Sequence, residues 1–144
     1  MDQTSNPIQT NELPWMPLNT GVSVRLLRLV GKDRTLQLKV EPGTTIEQHA
    51  HGGEVHAFNV TGSRKLSNGK IAGPGAYVYE PAGNIDSWAC YGDEPVIVQI
   101  TMSGSVAYLD ENGKPKSVTD TDTLRHRYRQ WCEQENHPIV AIGA

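Results

Sequence analysis

From Val22 onward the chain is cut every few residues by a turn signal, and this punctuation limits the possible folds more than any other feature. The signals are Lys32-Asp33, Glu41-Pro42-Gly43-Thr44, Gly52-Gly53, Gly62, Asn68-Gly69, Gly73-Pro74-Gly75, Pro81-Ala82-Gly83 and Asp110-Glu111-Asn112-Gly113. Proline presets φ at such sites and glycine supplies positive φ, so Glu41 to Thr44 suits a type II turn. The stretches between the signals are short and rich in β-formers: residues 22–30, 34–41, 44–51, 55–61, 76–80, 84–88, 96–102 and 106–109. Residues 34–41 alternate, with Leu36, Leu38 and Val40 on one face and Gln37 and Lys39 on the other, the pattern of a half-buried strand. Only after residue 119 does the period change. Leu124, Tyr128, Trp131 and Cys132 fall at helical spacing, and Asp120, Thr121 or Asp122 can cap the start. Many short strands followed by one helix predict an all-β sandwich or small barrel with a helix appended.

At 144 residues the chain suits a single domain that buries an ordinary core. Residues 1–12 read as a flexible arm, 13–119 as the barrel, and 120–144 as a helix and tail packed on it. Trp15, between Pro14 and Pro17, lies in an apolar extended stretch that packs against the core or a partner subunit. The apolar tail around Ile139 to Ile142 adds to the expectation of a homodimer or larger homo-oligomer. A net charge of −3 with no basic stripe argues against nucleic acid. No apolar run has the length of a membrane span. The two cysteines, Cys90 and Cys132, form no C-x-x-C pattern, so a cytoplasmic protein without disulfides is expected.

Three of the five histidines fall within eight residues: His49, His51 and His56. His49 and His51 are two apart, so on a strand they share a face and offer half of a metal site, with a solvated polar turn as the alternative. Gly52-Gly53 permits a turn that would bring His56 back on the partner strand toward the same pocket. His126, among Arg125, Arg127 and Arg129, reads as part of a solvated helix face.

Two spaced motifs carry a family resemblance. Gly43, His49, His51, His56 and Gly62 resemble the first motif of the cupin superfamily, in which a Glu usually stands near the position of His56. Gly75, Pro81, Gly83 and Asp86 resemble its second motif, where the family usually has His in place of Asp86. Within cupins, Tyr79-Glu80-Pro81-Ala82-Gly83 and residues 106–114 resemble the acetylacetone dioxygenase and 2,4'-dihydroxyacetophenone dioxygenase group. The resemblance implies a cupin barrel, of the double-stranded β-helix or jelly-roll kind. It implies one divalent metal inside, Fe(II) by preference, with Zn(II) or Ni(II) possible in purified protein. It also implies C–C cleavage of a small diketone or hydroxyketone with O2.

By that resemblance His49, His51 and Asp86 ligate the metal, two His and one carboxylate in place of three His. His56 either completes a fourth position or stays beside the ligands. Glu80 either orients a ligand imidazole, acts as a catalytic base, or pairs with a nearby Arg or Lys. Tyr77, Tyr79 and Trp88 either line an apolar substrate pocket or fill the core. Arg64 and Lys65 read as a solvated hairpin, with contact to an anionic substrate as the alternative. Against the dioxygenase stand a non-catalytic metal-binding cupin, such as a sensor with a closed zinc site, and a metal-dependent isomerase or lyase.

Overall fold

A computed structural model describes residues 5–140. In chain order the strands are β1 (Met16–Asn19), β2 (Val22–Val30), β3 (Asp33–Val40), β4 (Thr45–His51), β5 (Val55–Thr61), β6 (Ser63–Leu66), β7 (Ile71–Ala72), β8 (Tyr77–Glu80), β9 (Ile85–Tyr91), β10 (Val96–Ser103), β11 (Val106–Leu109) and β12 (Pro115–Thr119). A 3-10 turn, Thr10–Glu12, precedes them, and helix α1, Thr121–Gln134, follows. The first four and last four residues, including part of the apolar tail, lie outside the described residues.

The strands form two six-stranded sheets. One has the order β1-β2-β3-β10-β5-β8 and the other β12-β11-β4-β9-β6-β7, with every pairing antiparallel. Apolar side chains of the inward phases meet between them. Val24, Leu29, Val40, Val55, Val96 and Val98 are almost wholly buried there. Each such side chain contributes about 1.5–3 kcal/mol through burial. This is the cupin barrel that the strand pattern and motifs led us to expect.

Consecutive strands β4 and β5 do not pair. β4 hydrogen-bonds to β11 and β9, whereas β5 hydrogen-bonds to β10 and β8. The Gly52-Gly53 link therefore carries the chain from one sheet to the other. It passes close to the β10–β11 link: a Cβ on Gly53 would lie 2.5 Å from the carbonyl oxygen of Ser103. The hairpin expected from the glycine pair is thus a crossover.

The other turn chemistry acts as the residues dictate. Gly43 has φ +81 and the Thr44 N–H donates to the Glu41 carbonyl. α1 starts at a capping box: the Thr123 N–H donates to Asp120 Oδ1 and the Asp120 N–H to Thr123 Oγ1. Its buried residues include Leu124, Tyr128 and Cys132, the stripe read from the sequence. The extended stretch before β1 buries Leu13, while Trp15 lies under the cations of Arg25 and Lys39, at 4.2 and 4.7 Å. Both cysteines are free. Among the described residues no helix is long and apolar enough to cross a membrane.

Candidate metal centre

The site is built on an irregularity in β4. Ile46 pairs with Trp88 and His49 with Asp86, so three steps along β4 match two along β9. A bulge at Glu47 and Gln48 resets the alternation. Ile46, His49 and His51 all face inward as a result, although simple alternation would put Ile46 opposite the histidines. The bulge also supplies a partner. His49 Nδ1 donates to the Glu47 carbonyl at 2.7 Å, which fixes the tautomer and leaves Nε2 as a lone-pair donor.

The two imidazoles stand edge to face with centroids 4.8 Å apart. His51 is 6% exposed, and neither of its ring nitrogens has a hydrogen-bond partner among the described residues. An unsatisfied buried nitrogen costs about 1–3 kcal/mol. Burial first, and then the neighbouring His49 and Arg34, pull its pKa down to about 4, against an opposing pull from Asp86. At neutral pH this imidazole is therefore uncharged, the form that ligates a metal.

Two buried carboxylates flank the pair. Glu80, on β8 of the other sheet, approaches His51 Nε2 to 3.7 Å through Oε1, which also accepts from Asn84 Nδ2 at 2.8 Å. Burial raises the Glu80 pKa above the ordinary carboxylate value; the Asn84 hydrogen bond opposes this and Asp86 adds to it. Asp86 lies opposite His49 in the β4–β9 ladder. Its Oδ1 accepts from Ser67 Oγ at 2.7 Å and from the Ser87 N–H at 2.9 Å.

A buried cation completes the set. Arg64, on β6, is 1% exposed, with its guanidinium 4.8 Å over the Trp88 ring and Nε donating to Asn59 Oδ1. Its Nη2 is buried without a partner among the described residues. Glu80 and Asp86 favour its charge, while burial opposes it. The solvated hairpin expected for this residue is therefore corrected. Arg64 faces the interior because it stands opposite Cys90 on β9, whereas Lys65 takes the outward phase.

His49, His51, Arg64, Glu80, Trp88 and Tyr108 meet at a cavity of about 70 Å³, with apolar side chains making up the remaining wall. Tyr108 pairs with His49 across the β4–β11 ladder, rings 5.7 Å apart. Nothing in the residue pattern announces the roles of Tyr108, Ser67 or Asn84, since each depends on a register between distant strands. Arg64 carried a weak sign, a cation in a strand next to the motifs, without a phase.

Three expected site residues lie elsewhere. His56 is on the outward phase of β5, between buried Val55 and Ala57. It hydrogen-bonds with the Tyr77 hydroxyl and lies 3.4 Å from Glu54 Oε1, while the Tyr79 hydroxyl donates to Glu54 Oε2. Tyr77 and Tyr79 are 58% and 48% exposed, and neither lines the cavity of His49 and His51. The period of two explains all three, because the inward phase on these strands holds Val55, Ala57 and Asn59 on β5 and Val78 and Glu80 on β8. His56 is thus no fourth ligand in this geometry, and of the three aromatics only Trp88 reaches the cavity.

The donors suit a divalent metal in kind: two imidazoles, that of His51 uncharged at neutral pH, and nearby carboxylates in a buried pocket. Among the described residues no three His, Cys, Asp or Glu side chains are already disposed as a metal-binding group. For a third ligand, a carboxylate would have to turn onto the histidine pair. Glu80 lines the same cavity, whereas Asp86 has one oxygen engaged by Ser67 and Ser87.

A family described as the ChrR cupin-like domain matches residues 3–105. An RmlC-like cupin protein from Ralstonia eutropha JMP134 has a similar structure, with a TM-score of 0.89 at 23% identity over 98% of this chain and 95% of that one. An acetylacetone dioxygenase from Acinetobacter johnsonii has a TM-score of 0.77 at 17% identity, over 91% and 94%. The polyketide cyclase RemF from Streptomyces resistomycificus has 0.62 at 13%, over 88% and 94%. At these identities the likeness is one of fold. No curated protein sequence matches the chain.

Proposed function

The chain belongs to the ChrR cupin-like domain family, and from that premise we propose that it is a metal-dependent enzyme, a non-haem Fe(II) dioxygenase that cleaves a C–C bond of a β-diketone or hydroxyketone. The observation that carries this reading is the buried pair His49 and His51, with both His51 nitrogens unpartnered beside Glu80 in one cavity. The fold shared with the Acinetobacter johnsonii acetylacetone dioxygenase supports the choice of substrate class.

His49 Nε2 and a His51 ring nitrogen are the two nitrogen ligands, and Asp86, opposite His49 in the β4–β9 ladder, supplies the carboxylate. When bound, the iron would polarise the substrate's carbonyl oxygens and pass electrons from the substrate to O2. The protein's own groups have separate tasks. Glu80 takes the acidic proton from the carbon between the carbonyls on Oε2, the oxygen not held by Asn84. Burial favours the neutral acid so formed, since it raises the Glu80 pKa. Arg64 Nη2 donates to an oxygen of the resulting enolate and balances its charge. Trp88 and the apolar wall keep bulk water out. A closed zinc site that uses His56 as its fourth ligand has no support, because that ring lies on the outer face.

The test combines metal content with oxygen uptake. Wild-type protein should bind about one divalent ion per chain, and the His49→Ala, His51→Ala double variant none. The Fe(II) form should consume O2 with acetylacetone or an aromatic hydroxyketone, whereas the redox-inert Zn(II) form should not. Full metal content in the double variant, or no oxygen uptake with any diketone, would refute the proposal.

A further inference from the structure

The histidine cavity is too small for a substrate's carbon body. Its volume of about 70 Å³ suits an ion and a few ligand atoms, against roughly 300 Å³ or more for ordinary small-molecule sites. A second chamber of about 240 Å³ adjoins it between the sheets, under α1. Leu38, Ile100, Met102, Val106 and Tyr108 line both spaces, so the two share a wall. The chamber's other side chains include Leu18, Val24, Leu36 and Leu124. Its rim includes Val118, 56% exposed, and exposed Arg127, so it opens to solvent.

Two arginines mark this apolar chamber. Arg34 is 3% exposed, and its Nη1 donates to the Gly104 carbonyl at 2.8 Å and Thr121 Oγ1 at 3.1 Å. Arg127 Nη2 donates to the Leu18 carbonyl at 2.6 Å. These acceptors are neutral. Among the described residues no carboxylate forms an ion pair with either arginine. Asp120 is near enough to favour the charge on Arg34, but its side chain caps α1. Glu47, the other acid near Tyr108, pairs with Lys116. A guanidinium has five donors, so one or two neutral contacts leave capacity for an anion.

We propose that the ligand of this protein is an elongated carbonyl compound with an anionic far end: its chelating head enters the histidine cavity, its apolar body fills the chamber under α1, and a terminal carboxylate meets Arg127 at the rim. The proposal rests on the metal-site reading above and names its substrate class. It also assigns the entry route, past Val118 and Arg127.

The test uses Zn(II)-loaded protein, which binds without turnover, and isothermal titration calorimetry. The probes are acetylacetone, succinylacetone (acetylacetone lengthened at one end by a carboxymethyl group) and the succinylacetone methyl ester. Succinylacetone should bind at least about tenfold tighter than its ester, as a single charge-assisted contact allows. Arg127→Gln should collapse that ratio, and Arg127→Glu should invert it. Val118→Trp, on an exposed edge-strand position, should weaken both long probes more than acetylacetone by crowding the mouth. Equal binding of acid and ester, or a ratio unmoved by Arg127→Gln, overturns the chamber assignment even if acetylacetone binds. If none of the three binds, the metal-site reading fails with it.

Discussion

Acid titration of the chelator-treated protein should reveal what His51 costs it. Its pKa is held at about 4 against an ordinary value of 6.5. At 1.36 kcal/mol per pH unit that gap corresponds to roughly 3 kcal/mol. The sign follows from which state takes the proton. Above about pH 6.5 the ring is neutral in both states and contributes no pH dependence. As the pH falls from there toward about 4, the unfolded chain binds a proton that the folded chain refuses, and stability is lost. Of the total, about 2 kcal/mol is lost by pH 5. Glu80 works in the opposite direction. Its folded pKa lies above 4.5, so acidification protonates the folded state first and restores some stability. The comparison must therefore be with a variant that retains Glu80. His51→Leu removes two unpartnered buried nitrogens, and the chelator-treated variant should be more stable than wild type by about 1–3 kcal/mol at pH 7.5. That advantage should widen by about 2 kcal/mol at pH 5. Urea unfolding followed by tryptophan fluorescence at several pH values measures both quantities. Adding Zn(II) should reverse the order, since an ion at a hundred times its Kd stabilises the wild type alone by about 2.7 kcal/mol. Parallel pH profiles for wild type and His51→Leu would show that His51 is not the buried neutral imidazole described above.

Two further substitutions probe the frame around the site. Arg64→Ala should destabilise the protein by roughly 3–5 kcal/mol in urea unfolding, because it strands Glu80 and Asp86 without the buried cation; a loss below about 1 kcal/mol would place Arg64 in solvent. Gly53→Ala should cost roughly 1–3 kcal/mol through its clash with Ser103. At Gly43 nothing lies within 4 Å, so alanine should cost only the conformational strain of φ +81, about 1–2 kcal/mol. A larger loss at Gly43 than at Gly53 would contradict the close crossing of the two links.

What was legible in the chain depended on how local its cause was. Turn chemistry and the period of two reach only a few residues, and they located nearly every strand, the late helix and its cap. The shared face of His49 and His51 is local in the same sense. Which way that face points is set by the bulge at Glu47 and Gln48, and no residue type there announces it. His56 was misplaced because a glycine pair permits a hairpin and a crossover equally; the choice lies in whether β5 finds β4 or β10. The positions of Tyr77 and Tyr79 follow from the inward Glu80, three steps and one step away, once the phase of β8 is known. Arg64 and Tyr108 enter the site through pairings with β9 and β4, strands far away in the chain.

The bulge in β4 separates two kinds of information within one strand. Upstream of it, Ile46 answers to the packing of the barrel; downstream, the histidine pair answers to chemistry. Each segment keeps its own reading frame, and the extra residue works as a spacer between them. Substitutions at Ile46 are judged by how well they fill space, without rotating the histidines. Removing the spacer shifts one segment out of frame with the other, so at least one must turn its side chains to the wrong face. A single-residue deletion at 47 or 48 is thus a far more consequential change than most replacements there, although both residues lie at the surface.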